Sequence, residues 1–269
     1  MTEQAMALLC RGLDQLGLPW TQGAAEQLSL YGDRLLEKNQ VMNLTAITDP
    51  EEVVKRHFLD SAALLPSKAL GGRKVIDVGT GAGFPGLVLK ILDPTIQLTL
   101  LDSLGKRVDW LGELCQELHL PDVTLLKGRA EELSRQKEHR EGYDVAVSRA
   151  LASMPVLAEL CLPYVKPGGL FLAMKSNKTD EEIEAARAII QTLGGGGSLR
   201  HGLSAPGDGD LPPGGDGVQK PPHPQGLPPE VEQDQGSKNL VSLHKKLLQD
   251  TGPYGTMKPK IQEEWLWAA

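Results

Sequence analysis

The residues best suited to chemistry form a glycine-rich loop directly after a short apolar strand pattern. Asp77-Val78-Gly79-Thr80-Gly81-Ala82-Gly83 follows Lys74-Val75-Ile76 and continues into Phe84-Pro85-Gly86. Glycine at every second position lets the backbone turn tightly and lets a ligand approach the main chain closely. A loop of this kind between a first strand and a first helix is typical of nucleotide-binding sites.

Three classes of nucleotide site use such loops, and the residues around the glycines distinguish them. A P-loop requires Gly-Lys-Ser/Thr, which this loop lacks. The dinucleotide fingerprint G-x-G-x-x-G is matched formally by residues 81–86. The acidic residue Asp77 before the glycines and the proline in the turn fit the methyltransferase pattern better. The loop therefore favours S-adenosylmethionine and leaves a nicotinamide dinucleotide as an alternative.

A second acidic residue supports a nucleoside ligand. Asp102 closes the next predicted strand, downstream of the loop. A carboxylate at that point can accept hydrogen bonds from both ribose hydroxyls. We therefore expect the cofactor to lie across the carboxyl ends of the strands.

The end of the fourth predicted strand narrows the kind of methyl transfer. It reads Ser148-Arg149-Ala150, with neither the nearby cysteine that pyrimidine carbon methylation uses nor an Asp/Asn-Pro-Pro-aromatic tetrapeptide for amine methylation. A ring nitrogen such as guanine N7 already presents a lone pair and carries no proton to remove. Transfer to it depends on alignment more than on a general base. The sequence is consistent with a ring-nitrogen acceptor and identifies no catalytic residue.

Hydrophobic periodicity divides the chain into three parts. Residues 1–70 show helical spacing, with Asp49-Pro50-Glu51-Glu52 predicting the start of a helix over 53–65. Residues 71–193 alternate strand and helix patterns, which predicts a parallel sheet with helices on both faces. Residues 194–269 begin with a Gly/Pro-rich stretch and are expected to be disordered. The predicted fold is α/β: a Rossmann-like class I S-adenosylmethionine-dependent methyltransferase core with an N-terminal helical extension.

Within the core, the predicted elements alternate along the chain. The expected strands are 74–78, 98–101, 123–126, 144–148 and 170–174, and the expected helices are 86–92, 107–118, 155–162 and 180–193.

Composition narrows the protein class further. Hydrophobic residues make up 40% and charged residues 23%, as in soluble globular proteins. No stretch approaches the roughly 18 apolar residues of a membrane span. Cys10, Cys115 and Cys161 show no metal-type spacing, so we expect no metal site, and they suit a reducing cytoplasm. A net charge of −7 still permits a local phosphate-binding patch.

Seven motifs occur in a fixed order and together resemble a known family. They resemble the bacterial small-subunit (16S) ribosomal RNA guanine-N7 methyltransferases, also called glucose-inhibited division protein B, over about residues 30–193. The motifs are Asn43-Leu44-Thr45, Arg56-His57-Phe58-Leu59-Asp60-Ser61, Asp77 to Gly86, Leu100 to Arg107, Arg129-Ala130-Glu131, Ser148-Arg149-Ala150 and Ala173-Met174-Lys175.

The resemblance implies roles for residues at the matching positions. Gly79 and Phe84 would contact S-adenosylmethionine, Ala130 and Glu131 would lie against its adenosine, and Arg149 would reach the end near the reaction. The full cofactor set is Asp77, Gly79, Thr80, Gly81, Gly83, Phe84, Asp102, Ala130, Glu131 and Arg149. Candidate RNA contacts, cationic groups that would bind phosphates, are Arg56, His57, Lys106, Arg107 and Lys175.

His57 fits a structural histidine equally well, and each lone cation fits a solvated surface. The implied partner is small-subunit ribosomal RNA or the ribosomal subunit. We further expect a monomer in the cytoplasm, with no membrane partner.

The tail departs from the family, in which a hydrophobic strand pair completes the sheet and some members end in a basic Tyr-Pro-Arg segment. When residues 213–235 are back-translated and read one base later, codons for both features become possible. We hypothesise that a one-base frameshift near residues 194–204 replaced the natural carboxyl end. That replacement would leave an exposed sheet edge. A genuine flexible extension is the alternative.

Three other functions remain open at this point. One is a methyltransferase of protein or small molecules, and another is a protein that binds the cofactor without turnover. The third is a nicotinamide oxidoreductase.

Overall fold

The computed structural model describes residues 1–67, 69–149, 152–176, 180–195, 200–202 and 262–268. The chain divides into two compact units, Met1–Ala130 and Glu131–Ala269. The N-terminal helices and the first three strands therefore share one unit, which ends at Ala130.

The first unit begins with two helices, α1 (Glu3–Gln15) and α2 (Gln22–Met42). Each starts at a threonine whose hydroxyl accepts a hydrogen bond from the backbone N–H three residues on, which satisfies a donor that the helix leaves open. Along α2, Leu28, Tyr31 and Leu35 recur at helical spacing and are fully buried. One face of α2 therefore belongs to the core of this unit.

The helix predicted to start at Asp49 is confirmed, although its middle differs from an α-helix. Asp49 Oδ1 accepts from the N–H of Glu52 at 2.9 Å and caps α3 (Pro50–Val53). The chain continues as a π-helix (Val54–Leu59) and then as α4 (Asp60–Ala62). Periodicity could not distinguish the π turns, because they shift the spacing by a single residue.

Three parallel strands follow in the first unit, in the order β3-β2-β1. Asp77 pairs in register with Leu100, and Asp102 with Lys127. The strands are β1 (Lys74–Val78), β2 (Gln97–Asp102) and β3 (Thr124–Lys127), and the helices that follow them are α5 (Gly86–Leu92), α6 (Gly105–Glu117) and α7 (Ala130–Leu133).

The second unit continues the alternation of strands and helices. Its strands lie in the order β4-β5-β7-β6, with β4 and β5 parallel and with β7 antiparallel to both β5 and β6. The elements are β4 (Tyr143–Arg149), α8 (Met154–Cys161), β5 (Val165–Ser176), α9 (Asp180–Thr192), β6 (Arg200–Gly202) and β7 (Gln262–Ala268).

The predicted α/β class is confirmed, and each predicted core strand and helix is present. The bounds of β1 and α5 are as predicted, and the ends of the other elements shift by up to five residues; the largest shift is in β5, which starts at Val165 rather than at residue 170. Within the described parts of the chain, no helix is long and apolar enough to cross a membrane.

The prediction that the tail leaves an exposed sheet edge after residue 193 is wrong. Strand β7 pairs with β5 from Leu170 to Ser176, so the edge of β5 is covered. The sequence of β7 contains Trp265, Leu266 and Trp267, and such an aromatic and apolar run has high strand propensity. Residues 203–261, which include the stretch read in a second frame, lie outside the described residues, so the frameshift stays a hypothesis.

Candidate cofactor site

The glycine loop is closed by a carboxylate at the end of β1. Asp77 is fully buried, and its Oδ2 accepts from the hydroxyl of Thr80 at 2.7 Å and from the N–H of Gly86 at 2.9 Å. Hydrogen bonds to an ionised carboxylate are stronger than neutral ones. Asp77 therefore ties the start of the loop to the first turn of α5.

The glycines of the loop adopt backbone angles that only glycine takes readily. Gly79, Gly81 and Gly83 have φ of +72°, +60° and +98°. At Gly81, a side chain would meet nothing closer than a carbonyl oxygen at 4.0 Å, so the space beside this backbone is open. At Gly83, a Cβ would lie 2.7 Å from both Leu87 Cδ1 and the Tyr31 hydroxyl oxygen. The loop is open to a ligand at Gly81 and packed against protein at Gly83.

Asp102 joins the end of β2 to the glycine loop. Its Oδ2 accepts from the N–H of Gly81 at 3.0 Å, and its Oδ1 accepts from the N–H of Leu104 at 2.9 Å. The Arg107 guanidinium lies 3.6 Å from Oδ2. The carbonyl of Leu101 also accepts from the N–H groups of Gly79 and Thr80. The two acidic residues singled out from the sequence therefore both shape one loop.

Phe84 is buried among aromatic rings from the N-terminal helices. The ring of Tyr31 on α2 stacks on Phe84 with centroids 5.0 Å apart, and the ring of His57 stacks on it at 4.6 Å. Phe58 lies tilted against Phe84 at 6.0 Å. The residue predicted to contact the cofactor is therefore positioned by the helical extension.

Two of the seven motifs meet at His57. Asn39 Oδ1 accepts from the N–H groups of Leu44 and Thr45, which shapes the turn after α2. The Thr45 hydroxyl then lies 2.9 Å from His57 Nε2. His57 is half-buried, and this contact holds its ring within the unit. The contact is consistent with a structural histidine, and a role of His57 in RNA binding stays a prediction.

The remaining predicted cofactor residues lie after β3 and β4. Ala130 and Glu131 open α7, and Arg149 is the last residue of β4. In the β4–β5 register Ser148 pairs with Ala173 and Arg149 with Met174, so the motifs at these two strand ends are neighbours. Ala150 lies outside the described residues.

The candidate RNA-binding cations differ in their surroundings. Arg56 is exposed and pairs with Glu52 at 2.7 Å, one helical turn away. Lys106 is exposed in the first turn of α6, and Arg107 is half-buried beside Asp102. Lys175 lies on β5 opposite Glu263, and its side chain is outside the described residues.

Sequence reasoning missed Tyr31. The signal was present, because a tyrosine between Leu28 and Leu35 lies on an apolar helix face, where its hydroxyl needs a buried partner. The partner, the carbonyl of Ala82 at 2.5 Å, is 51 residues away and follows from the fold alone.

Comparison with known proteins identifies the family. A family model described as rRNA small subunit methyltransferase G matches residues 24–203, more than half of the chain. The chain belongs to this family. The ribosomal RNA small subunit methyltransferase G of Alkaliphilus metalliredigens is 50% identical over 193 residues, which cover 71% of this chain and 81% of that protein.

A second member of the small subunit methyltransferase G family gives a match of similar extent. The protein of Lachnoclostridium phytofermentans is 48% identical over 186 residues, or 69% of this chain and 77% of that protein. Among solved structures, a SAM dependent methyltransferase from Aquifex aeolicus matches with a TM-score of 0.43 and 21% identity over 60% of this chain and 89% of that one. The resemblance inferred from the motifs is confirmed, and the chain is a methyltransferase by family.

Proposed function

We propose that this protein transfers a methyl group from S-adenosylmethionine to N7 of a guanine in small-subunit (16S) ribosomal RNA. The observation that carries the proposal is the family match over residues 24–203, which includes a glycine loop with open backbone at Gly81.

The residues of the loop fit S-adenosylmethionine. A side chain at Gly81 would occupy the space that a ligand needs against the backbone, and the φ of +60° there keeps the position suited to glycine. Gly79 and Thr80 precede it, and Phe84 follows it. We assign the methionine part of the cofactor to this turn.

Asp102 is assigned to the ribose. Each of its carboxylate oxygens accepts one backbone hydrogen bond, from Gly81 or from Leu104. A carboxylate oxygen has a second acceptor site, so both oxygens can also accept from ribose hydroxyls. The hydrogen bond to Gly81 then fixes the distance between the ribose and the loop.

Ala130, Glu131 and Arg149 complete the assignment. We place the adenosine against Ala130 and Glu131, at the start of α7. We place Arg149 at the end of the cofactor where the methyl group leaves. These three roles rest on the family resemblance and on the position of each residue after a strand.

The bound cofactor supplies a methyl group on a positively charged sulfur. Guanine N7 offers a lone pair and no proton, so the chain has to align the two atoms and need not remove a proton. The loop and Asp102 orient the cofactor, and exposed cations such as Lys106 hold the RNA backbone. This division explains why no residue is assigned as a general base.

We also infer that the protein acts as a monomer in the cytoplasm, on the RNA or on the small ribosomal subunit. Sedimentation in the presence and absence of small subunits would test the oligomeric state. A stable dimer in solution would overturn that part of the proposal.

The reaction is tested by incubating the full chain with methyl-labelled S-adenosylmethionine and three acceptors: small ribosomal subunits, free 16S RNA and total protein. The subunits or the RNA come from cells that lack a family member. We expect label in the RNA of the first or second sample. Label in protein alone would favour a protein methyltransferase, and cofactor binding without any transfer would favour a binding protein.

A further inference from the structure

Tyr31 on α2 reaches into the glycine loop with its whole side chain. Its hydroxyl donates to the carbonyl oxygen of Ala82 at 2.5 Å. The hydroxyl oxygen would lie 2.7 Å from a Cβ on Gly83, so it lies directly against that glycine. Its ring stacks on Phe84 at an interplanar angle of 14°. One fully buried side chain therefore contacts three consecutive residues of the loop.

His57 is the second ring on Phe84, with an interplanar angle of 22°. Its Nδ1 lies 3.1 Å from the carbonyl oxygen of Arg56, and its Nε2 lies 2.9 Å from the Thr45 hydroxyl. Because a carbonyl only accepts, Nδ1 carries the hydrogen of the first contact, and in the neutral imidazole Nε2 accepts from the Thr45 hydroxyl. Two polar contacts thus fix the plane of the imidazole while its face lies on Phe84.

The backbone that carries His57 is itself unusual. Val54–Leu59 is a π-helix, a form that occurs mostly in short segments and frequently at functional sites. The carbonyl of His57 accepts from the Ser61 hydroxyl at 2.6 Å. In the same segment the ring of Phe58 lies against those of Tyr31 and Phe84, with ring centroids 5.5 Å and 6.0 Å apart. The π-helix therefore presents two consecutive rings to Phe84.

The loop needs such support because its own backbone is permissive. Gly79, Gly81 and Gly83 all have positive φ, and glycine loses more conformational freedom on ordering than any other residue. The N–H groups of Gly83 and Phe84 donate to the same acceptor, the carbonyl of Thr80. Ordering a loop on binding costs conformational entropy and so weakens the affinity for the ligand. A loop that is already held in place avoids this cost.

We propose that Tyr31 and His57 are positioning residues that hold Phe84, and with it residues 82–84, in the conformation that receives the cofactor. The inference rests on the proposed function, because it takes Phe84 to be a cofactor contact. In this account the helical extension is part of the cofactor site, acting through ring stacking and the hydrogen bond to Ala82.

The first test compares His57→Gln, which removes the ring, with His57→Phe, which keeps it. Calorimetry measures the Kd for S-adenosylmethionine. One aromatic pair corresponds to about a three- to tenfold change, so His57→Gln should weaken binding by about that factor. His57→Phe should stay within about twofold of the wild type. In methyl transfer, the KM for the cofactor should rise in the Gln variant while kcat at saturation is unchanged.

The second test concerns Tyr31 and has a matched control. Tyr31→Phe removes the hydrogen bond to Ala82 and keeps the ring that stacks on Phe84. Tyr31→Leu removes both contacts, so it should bind the cofactor more weakly than Tyr31→Phe does. Leu35→Ala truncates a fully buried residue one helical turn away on α2. It should lower Tm but leave Kd within about twofold. Equal weakening of cofactor binding by Tyr31→Phe, Tyr31→Leu and Leu35→Ala would overturn the proposal. An unchanged Kd in both Tyr31→Leu and His57→Gln would also overturn it.

A third measurement separates this inference from the proposed function. Hydrogen exchange at the amide of Phe84, without cofactor, should be faster in His57→Gln than in the wild type. If the wild type fails to bind S-adenosylmethionine, the proposed function fails, and the exchange rate still decides the inference. If His57→Gln does not fold, His57→Leu, which also removes the aromatic ring, takes its place. Unchanged exchange and Kd in that variant would contradict the proposal.

Discussion

The carboxylate of Asp77 accepts a hydrogen bond from the backbone N–H of Gly86 at 2.9 Å, across the whole length of the glycine loop. The same oxygen accepts from the Thr80 hydroxyl. The end of β1, the turn and the start of α5 are therefore joined through one buried oxygen. The acidic residue before the glycines closes the loop, and this role does not depend on any ligand.

The contact between Asp77 and Gly86 predicts that Gly86→Ala is destabilising. The new Cβ would lie 2.7 Å from Leu100 Cδ2 and 2.8 Å from Asp77 Oδ2. Overpacking of this kind costs about 1–3 kcal/mol. We expect a lower midpoint in urea unfolding and weaker binding of S-adenosylmethionine.

Gly23→Ala is the matched control for that substitution. Gly23 is in the first turn of α2, where the nearest heavy atom to a Cβ is Thr21 Oγ1 at 3.9 Å. Alanine there is expected to be neutral or to stabilise by up to about 1 kcal/mol. If both alanine variants unfold at the same urea concentration, the close packing of Gly86 against Asp77 is not important for stability.

Asp102 illustrates what the sequence could and could not predict about the site. Its place at the end of β2 followed from the strand pattern, and so did its suitability for a ribose. Its hydrogen bond to the N–H of Gly81 did not, because that contact depends on how the loop folds back beside β2. Residue type and strand position are local properties, whereas the contact between two loops is a property of the assembled sheet.

Burial of Cys115 predicts a pH dependence of stability in the alkaline range. Burial on α6 raises the pKa of this thiol from 9.0 to about 11. Below pH 9 the thiol is protonated in both the folded and the unfolded chain, and its full contribution to stability is present. Between pH 9 and 11 the unfolded chain loses the proton first, so stability falls as pH rises. At pH 11 the loss is about 2 kcal/mol.

Urea unfolding of the wild type and of Cys115→Ala from pH 8 to 11 measures this effect. The Ala variant should be less stable at pH 8 but should lose less stability on going to pH 11. Cys10→Ala, at a half-exposed thiol, serves as the control. Parallel pH profiles for the wild type and Cys115→Ala would contradict the expected linkage.

The exposed cation Lys106 predicts a measurable change in RNA binding. Lys106→Ala should weaken binding of small-subunit RNA and reduce the salt slope of log K by about one, because one phosphate contact is lost. Lys38→Ala removes the same charge from α2, where Lys38 pairs with Glu113 at 3.5 Å. Filter binding over a series of salt concentrations compares the two. If Lys106→Ala leaves the salt slope unchanged while Lys38→Ala lowers it, Lys106 does not make the phosphate contact assigned to it.

The N-terminal helices show the other limit of sequence reasoning. Their existence and the cap at Asp49 were predictable from periodicity and from capping residues, which are local signals. Their function was not, because the contacts of Tyr31 with Ala82 and of His57 with Phe84 join segments that are distant in sequence. The family resemblance made His57 a candidate RNA contact, and the residue type alone does not reveal its contact with Thr45. The covered edge of β5 was missed for the same reason, since β7 follows it by more than 80 residues.

Mapping N7-methylguanine in 16S RNA tests the proposed methyl transfer most directly. A bacterium without its own family member would express either this full chain or no additional protein, and borohydride and aniline cleavage would locate modified guanines. We expect one guanine that is cleaved only when the chain is present. Identical cleavage patterns in both strains, with the chain folded and bound to S-adenosylmethionine, would contradict this expectation.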